Sequence, residues 1–346
     1  MYNILIIGAG QLGLLLVEES IKLRKYIKNI YIYTDNIEHC CKLDLDFLEI
    51  INKDKLYETC KKCDFITYEY ESFETEIFEE FKSKIYPSLD LLKIVQDKYI
   101  QKTFMLKNNI ISSKFSTVDS YQDIIDFTKL YNYPVFLKKR KGSFDGRGNY
   151  LISNIKDIMS LKNIKPGIYF VEEYVDFDKE VSIIGCKNDK NMVNYNIVEN
   201  IHKNSILVKT VFPYNIEIKS ELLNIFNKIL NLFDTRGIIC VEFFVKNDKI
   251  YYNECCLRVH NSGHYTLNAS HTSQFENHLR SIMNLELGST QNKFEGIFYN
   301  IVSNLQTLED IKKIIDYKKL KYYIKMYNKE SRGIRKIGHM VIENKN

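Results

Sequence analysis

The stretch IICVEFFVKNDKIYYNECCLRVHNSGH, residues 238–264, reads as two strands joined by a short loop and followed by a polar segment. Glu242 lies in the first strand and Glu254 closes the second. With a three-residue loop at 247–249, position 246 pairs with 250 and Glu242 faces Glu254 on one side of the ladder. With a two-residue loop, Asn253 stands opposite Glu242 instead. Directly opposed carboxylates repel, so one stays protonated unless a cation lies between them. Hard oxygen donors on neighbouring strands suit Mg2+, which keeps waters and bridges phosphates. Val241, Phe243, Phe244 and Tyr252 surround the acids with bulk, which argues against two solvated surface groups. Beyond the hairpin, Arg258, His260, Asn261, Ser262 and His264 crowd polar groups into seven residues. A guanidinium there suits bidentate anion binding. His260 and His264 share a metal only on a helix, and Asn-Ser-Gly argues against one.

Toward the N-terminus, FVEEYV (170–175) is an apolar and acidic strand followed by Glu180. Such a segment can offer backbone groups to an adenine edge and a carboxylate to a ribose hydroxyl. FLKKRKGSFDGRGNYLI (136–152) places Lys138 on a strand before a glycine-bearing loop and a returning strand. Glycines let backbone amides approach a polyphosphate, and Lys138 adds a point charge. A Walker A loop joins strand to helix, so this is not one. At the start, the apolar run 3–8 ends in Gly8-Ala9-Gly10-Gln11-Leu12-Gly13, a GxGxxG between a strand and a helix. Three readings stand for it: a dinucleotide loop with Asp35 on the ribose, a loop for another phosphate, or a plain tight turn.

Strand-like runs at 29–34, 64–69 and 84–87 alternate with helical stretches, which predicts a doubly wound parallel sheet closing near Pro87-Ser88. A helix is expected at 89–108, strands at 135–139, 149–152, 168–174, 179–187 and 192–199, and a long helix at 217–233. The segment 258–278 leads into another helix, and YNKESRGIRKIGHM (327–340) closes the chain with Lys329, Arg332, Arg335 and Lys336 together.

Composition narrows the function classes. The 346 residues are 45% hydrophobic, too apolar for disorder and long enough for two or three domains. No apolar run approaches the roughly 20 residues of a membrane span, and no basic leader precedes the first strand, so a signal peptide is not expected. A dispersed net charge of +5 argues against nucleic acid as partner. The 8 cysteines, including the pair Cys60 and Cys63, lack zinc-ligand spacing and fit reduced thiols in a cytoplasmic protein. Of the 49 basic residues 41 are Lys and 8 are Arg, so an Arg marks a position that needs a planar fork. No Gly-x-Ser-x-Gly elbow or Cys/His pair stands out, and the chemistry looks like phosphate and metal work.

Taken together, these segments resemble the 5-(carboxyamino)imidazole ribonucleotide synthase family, the ATP-grasp carboxylases of purine biosynthesis. The resemblance runs from GAGQLG through TYEYES (67–72), PSLDLLKIVQDKYIQK (87–102), LKKRKGSFDGRG, EEYVDFDKEVSII (172–184), VENIH (198–202), NECCLRVHNSGHYT (253–266) and TSQFENHLR (272–280) to the basic tail. It implies an α/β and α+β chain with an ATP-grasp fold. A Rossmann-like pre-ATP-grasp domain would span 1–95, the ATP-grasp domain 96–290 with a mobile central part near 110–175, and a small subdomain 291–346.

By the same resemblance ATP is the co-substrate and Mg2+ the metal. Lys98, Lys138 and Ser143, Phe144, Asp145, Gly146, Arg147, Gly148 and Asn149 would meet the phosphates. Glu172, Glu173, Tyr174 and Val175 would meet the adenine, with Glu180 and His202 nearby. Glu242, Glu254 and Asn253 would hold Mg2+, the last two also touching the nucleotide. Bicarbonate is phosphorylated to carboxyphosphate and the amine of aminoimidazole ribonucleotide captures the carboxyl group. That substrate's phosphate would sit near Gly10, Gln11, Leu12, Lys329 and Arg335, with Glu69 or Glu71, Arg258, His260, Asn261 and Ser262 around the reacting groups. Asp145, Arg258, Lys329 and Arg335 are the expected catalytic residues. The glycine motif is thereby reassigned from a dinucleotide to a monophosphate, and a cytoplasmic homodimer is implied.

Three departures from the family pattern stand out: Cys256-Leu257 for Ala-Pro, Lys98 for Arg, and Ser143-Phe144 for Gly-Tyr. The rivals are a formate-using glycinamide ribonucleotide transformylase, disfavoured by Arg-x-His-Asn-Ser-Gly-His, and an NAD(P)-dependent oxidoreductase.

Overall fold

The structure, a computed structural model, describes residues 1–36, 39–142, 148–161, 164–303, 319–329 and 333–344. Strands β1 (Tyr2–Ile7), β2 (Ile27–Tyr33), β3 (Leu48–Ile51) and β4 (Phe65–Tyr68) form a parallel sheet in the order β3-β2-β1-β4. Helices α1 (Gln11–Ser20) and α2 (Lys53–Lys62) supply crossovers that parallel neighbours require. Residues 84–87, expected as another strand, add one bridge from Ile85 to Ile66 after a 3-10 helix at Glu76–Lys84.

The helix expected at 89–108 is two, α3 (Leu89–Val95) and α4 (Lys98–Lys107). Asp97 causes the break. Its carboxylate accepts from the amides of Tyr99 (3.1 Å) and Ile100 (3.2 Å), an N-cap that restarts the helix. It also takes Nε and Nη2 of Arg140 at 3.1 and 2.8 Å. Arg140 ends the next sheet, which comprises β5 (Phe115–Val118), β6 (Val135–Lys139), β7 (Asn149–Ile152) and β8 (Tyr169–Glu173), antiparallel in the order β5-β8-β6-β7. Helices α5 (Tyr121–Tyr131) and α6 (Ile155–Ser160) start at capping boxes on Ser120 and Asn154 and cover this sheet. Val118, Ile124, Phe127, Val135, Leu137 and Val171 give it a core of its own.

The largest sheet contains β9 (Lys179–Lys187), β10 (Met192–Asn194), β11 (Val198–Lys203), β12 (Ile206–Phe212), β13 (Gly237–Lys246), β14 (Lys249–Cys256), β15 (Gly296–Val302), β16 (Tyr322–Met326) and β17 (Lys336–Glu343). Its order is β14-β13-β9-β11-β12-β15-β17-β16, with β10 beside β9. Helices α7 (Lys219–Leu232), α8 (Thr266–Ala269) and α9 (Gln274–Ile282) complete the chain's described helices.

Two cores weld the parallel sheet to the large one, and both follow from the period-2 alternation of strand side chains. Leu5, Ile7, Val181, Ile183, Val241 and Phe243 enter one core with Phe226 and Leu230 of α7. Ile4, Ile6, Ile184, Cys186, Ile238 and Cys240 enter the other with Leu15 and Leu16 of α1 and Phe275 of α9. His278 of α9 ties the sheets directly. Its Nδ1 accepts from the amide of Ile238 at 3.1 Å, so Nε2 carries the proton and donates to Thr67 Oγ1 at 2.7 Å.

The β13–β14 turn holds two residues, Asn247 and Asp248, both at positive φ (46° and 61°), with Lys246 paired to Lys249. The three-residue loop considered above is therefore replaced by a two-residue one. The outer side of β14 is covered. The amide of Tyr252 donates to the carbonyl of Ile111 at 2.8 Å, and Gln101 of α4 accepts from the amide of Cys255 and donates to its carbonyl, both at 3.0 Å.

His264, His278 and His339 are buried and held neutral, burial pushing the first two down to about 3 and the third well below 6.5. The unfolded chain takes up these protons near pH 6.5 and the folded chain does not. Unfolding therefore becomes easier as pH falls from 6.5 toward 3, by up to about 1.4 kcal/mol per pH unit for each histidine. Thermal melts between pH 7 and 5 are expected to show Tm falling with pH, and a flat Tm would contradict the buried neutral state.

Candidate active site

The ladder of β13 and β14 contains one irregularity, and it decides the site. From the turn outward the pairs run Lys246 to Lys249, Val245 to Ile250, Phe244 to Tyr251 and Phe243 to Tyr252. Regular pairing would next set Glu242 against Asn253. A bulge falls there instead, Asn253 is the extra residue, and Glu242 faces Glu254. The two-residue turn and the opposed carboxylates thus coexist.

Each carboxylate has a different environment. Glu254 binds Lys98 Nζ at 2.7 Å, and that ammonium, working against burial, lowers its pKa to about 2. Burial opposes charge on Lys98 too, but Glu254 outweighs it and raises the lysine's pKa. Glu242 is pushed well above the carboxylate range by burial and by the charges of Glu180 and Glu254, which Lys98 and Arg258 only partly offset. Its neighbour is His260 Nε2, 3.4 Å from Oε1. Glu180 lies two positions along the adjoining strand β9 and contacts His202 Nδ1 at 3.1 Å. Among the described residues no three His, Cys, Asp or Glu side chains converge tightly enough to hold a metal alone. Two hard oxygen donors, one of them short of positive charge, do fit a small divalent cation whose remaining ligands are phosphate oxygens and water.

On the small sheet Glu172 is almost wholly buried, and both its oxygens are engaged. Lys102 Nζ meets Oε1 at 2.8 Å, Lys138 Nζ meets Oε2 at 2.7 Å, and the Ser113 hydroxyl donates to Oε1. Burial alone would raise the pKa of Glu172; the two lysines reverse it to far below the usual range. Lys138 also lowers the pKa of Glu254, which puts this clamp and the β13–β14 carboxylates in one electrostatic neighbourhood. Past the strand, Tyr174 packs on Phe136 with ring centres 5.6 Å apart, and the backbone of Glu173 pairs with Lys114. Gly148, at φ 81°, leads into Asn149 opposite Lys138.

The N-terminal glycine loop holds an internal anion. The Glu69 carboxylate accepts from the amide of Gly10 and, at 2.7 Å, from that of Gly13. A Cβ at Gly10 would lie 2.6 Å from Glu69 Oε1, so the glycine is needed to admit this side chain. The amides a dinucleotide phosphate would use are taken, and Asp35 instead accepts from the Tyr33 hydroxyl and the Lys53 amide. Leu12 points its side chain into the core, while the Gln11 amide oxygen accepts from Lys329 Nζ. Glu69, Lys329 and Arg335 line a cavity of about 450 Å3 with Gly8, Gly10 and Tyr70.

Arg258 joins this cavity to the carboxylates of the hairpin. Its Nε stands 3.8 Å from Glu71, whose other oxygen accepts from the amide of Leu257 at 2.8 Å. Burial raises the pKa of Glu69, Glu71 and Glu242, and the Arg258 charge partly offsets each rise. Cys256 and Leu257, where the resembled family has Ala-Pro, are both buried. His260 and Ser262 are buried with hydrogen bonds, and Asn261 opens a single 3-10 turn, so His260 and His264 do not share a helix face.

Of the residues singled out from the sequence, Lys98, Lys138, Glu172, Glu180, His202, Glu242, Asn253 and Glu254 lie on α4, β6, β8, β9, β11, β13 and β14, Arg258 and His260 follow β14, and Gly10, Glu69, Lys329 and Arg335 line the cavity, with Gln11 held to Lys329. Ser143, Phe144, Asp145, Gly146 and Arg147 fall outside the described residues. Sequence reasoning missed Lys102 and Ser113 on Glu172, the Asp97–Arg140 fork, and Gln101. Of these only Arg140 carried a signal, the scarcity of arginine.

Residues 1–96 match a model described as "Ribonucleotide synthetase preATP-grasp domain" and residues 103–275 an "ATP-grasp domain". The N5-carboxyaminoimidazole ribonucleotide synthase of Aquifex aeolicus is 32% identical over 344 residues, covering 98% of this chain and 92% of that protein. A solved N5-carboxyaminoimidazole synthetase from Staphylococcus aureus, complexed with ADP, superposes with a TM-score of 0.88 at 27% identity, covering 100% of this chain and 94% of the other. The Aspergillus clavatus enzyme in complex with ADP and 5-aminoimidazole ribonucleotide gives 0.86 at 26% identity, over 99% and 94%.

The clamp on Glu172 yields a stability test. Glu172→Gln leaves Lys102 and Lys138 in a buried site without their anion, and breaking a buried pair from one side costs roughly 3–5 kcal/mol. Urea denaturation is expected to show a loss of that order, and a change under about 1 kcal/mol, the range of an exposed pair, would contradict the clamp.

Proposed function

The chain belongs to the N5-carboxyaminoimidazole ribonucleotide synthase family, and on that premise we propose that it uses ATP and bicarbonate to carboxylate the exocyclic amine of 5-aminoimidazole ribonucleotide, releasing ADP and phosphate. It is an ATP-grasp ligase of purine biosynthesis. The observation that carries the site assignment is the bulge that opposes Glu242 and Glu254 beside Lys98, Lys138 and Arg258.

We assign Mg2+ to Glu242 and Glu254, with Asn253 adjacent; when bound, the ion would neutralise charge on the phosphates of ATP. Lys98 and Lys138 bind the same phosphates, each leaving its present carboxylate partner in part. By family likeness we also assign residues 143–149 to that phosphate site and a catalytic role to Asp145. Glu172 to Val175, Glu180 and His202 take the nucleoside. Arg258, between Glu71 and the hairpin carboxylates, holds the carboxyphosphate formed from bicarbonate and directs it to the amine. His260, Asn261 and Ser262 wall off that volume from water, which would otherwise hydrolyse the intermediate. Lys329, Arg335 and the loop at Gly10, Gln11 and Leu12 face the substrate monophosphate. Glu69 has already taken two of the loop's amides, so the two tail cations carry most of that contact.

The order of sheets supports a pre-ATP-grasp domain at 1–95, an ATP-grasp domain at 96–290 and a closing subdomain at 291–346. The separate core of the small sheet supports treating about 110–175 as a part that moves. Family likeness supports a cytoplasmic homodimer; no helix among the described residues is long and apolar enough to cross a membrane.

Incubated with MgATP, the protein is expected to release ADP only when bicarbonate and 5-aminoimidazole ribonucleotide are both present. ADP release with formate and glycinamide ribonucleotide instead would point to the transformylase activity. Glu254→Ala is expected to lose at least about 100-fold in turnover while its circular dichroism and melt remain cooperative. Full activity in that variant would refute the metal assignment.

A further inference from the structure

A row of buried hydrogen bonds ends on His260, whose Nε2 contacts Glu242, and its outer members Thr210, Asn200 and Ser182 have no part in the reaction as derived so far. Thr210 on β12 donates from Oγ1 to Asn200 Oδ1 at 3.1 Å. Asn200, its cross-strand partner on β11, donates from Nδ2 to Ser182 Oγ at 2.9 Å. Ser182 on β9 donates to Ser262 Oγ, again at 2.9 Å. Ser262 Oγ lies 2.9 Å from His260 Nδ1, and His260 Nε2 lies 3.4 Å from Glu242 Oε1. All six side chains are buried, Thr210, Ser182 and Ser262 completely.

The direction of the row is fixed at its far end. The backbone amide of Ser262 points at His260 Nδ1 from 3.3 Å, and an amide can only donate. Nδ1 is therefore the acceptor nitrogen and Nε2 bears the hydrogen that faces Glu242. From Thr210 onward, the hydroxyls of Ser182 and Ser262 each accept from the residue before and donate to the residue after, so the whole row has one polarity. Gln274 holds the ring's main chain in place, accepting from the His260 amide at 2.9 Å and donating to its carbonyl at 2.6 Å. Sheet register adds a second constraint, since Ser182 sits directly across the ladder from Glu242.

We propose that Ser182 and Asn200 are positioning residues for Glu242: acting through Ser262, they lock His260 as its Nε2–H tautomer, whose hydrogen holds one oxygen of Glu242 and leaves the other turned toward Glu254. Outer partners of this kind fix ring orientation and carboxylate direction around a metal, and their removal lowers metal affinity or activity by about 10–100-fold. The role rests on Glu242 as a metal carboxylate; the tautomer does not.

The test uses the full chain labelled with 15N-histidine. Wild type is expected to show His260 with an unprotonated Nδ1 and a protonated Nε2 without any ligand. In Ser182→Ala, the Nδ1 signal should shift as its hydroxyl donor loses orientation. The Mg2+ concentration that half-saturates ADP release should rise about 10-fold, with a smaller change in kcat at saturating Mg2+. Asn200→Leu should act the same way and covers the case in which the serine variant misfolds. A protonated Nδ1 in wild type overturns the proposal. So does an unchanged Mg2+ requirement in both variants while Glu242→Gln raises it. If Glu242→Gln also leaves the requirement unchanged, the metal assignment fails, and the proposed role fails with it, while the nitrogen signals still report the row itself.

Discussion

Two carboxylates that backbone geometry forces together set the terms for the rest of the site. At a cross-strand separation of about 5 Å and an effective dielectric near 20, like charges repel by on the order of 3 kcal/mol. Lys98 neutralises Glu254 and holds it ionised, which leaves Glu242 as the group in deficit. Glu180 deepens that deficit, while the imidazole of His260 contacts the carboxylate and the charges of Lys98 and Arg258 partly offset it. The same logic recurs on the small sheet with the signs reversed. There one carboxylate, Glu172, serves two lysines, so that side carries the surplus positive charge a polyphosphate would meet.

Much of this was legible in the sequence, and what was not has local causes. Strand alternation gave the parallel sheet, and the acidic strand followed by a polar Arg-His-Asn segment gave the hairpin and its function class. Turn length could not be read together with register, because the bulge at Asn253 cancels the one-residue difference between the two pairings considered. The break at Asp97 was hidden because an aspartate inside an apolar-periodic run is ordinary; only the distant Arg140 and the cap make it a terminus. The glycine loop was ambiguous for a similar reason. Glycines that admit a phosphate also admit a carboxylate, and Glu69 arrives from a strand 59 residues away.

The scarcity of arginine proved informative. Arg140 forks onto Asp97, Arg236 onto Asp189 and Arg280 onto Glu276, each through Nε and a terminal nitrogen. Lysines, by contrast, fill point-charge roles at Glu172, Glu254 and Gln11. In these three pairs the planar fork, not charge alone, distinguishes the guanidinium from an ammonium. Lys98 in place of the arginine usual in the resembled family then has a physical reading. It supplies one strong contact to Glu254 and leaves that carboxylate's second oxygen uncommitted.

The covering of β14 reaches beyond catalysis. A terminal strand with bare amides and carbonyls is a template on which a stranger's chain can stack, the first step toward fibrous association. Gln101 and Ile111 occupy the outward-facing groups of Tyr252 and Cys255. The strand that bears Glu254 is thus shielded from misassembly by the helix that also brings in Lys98, and loosening that helix would expose the molecule to clumping as well as to loss of the Lys98–Glu254 pair.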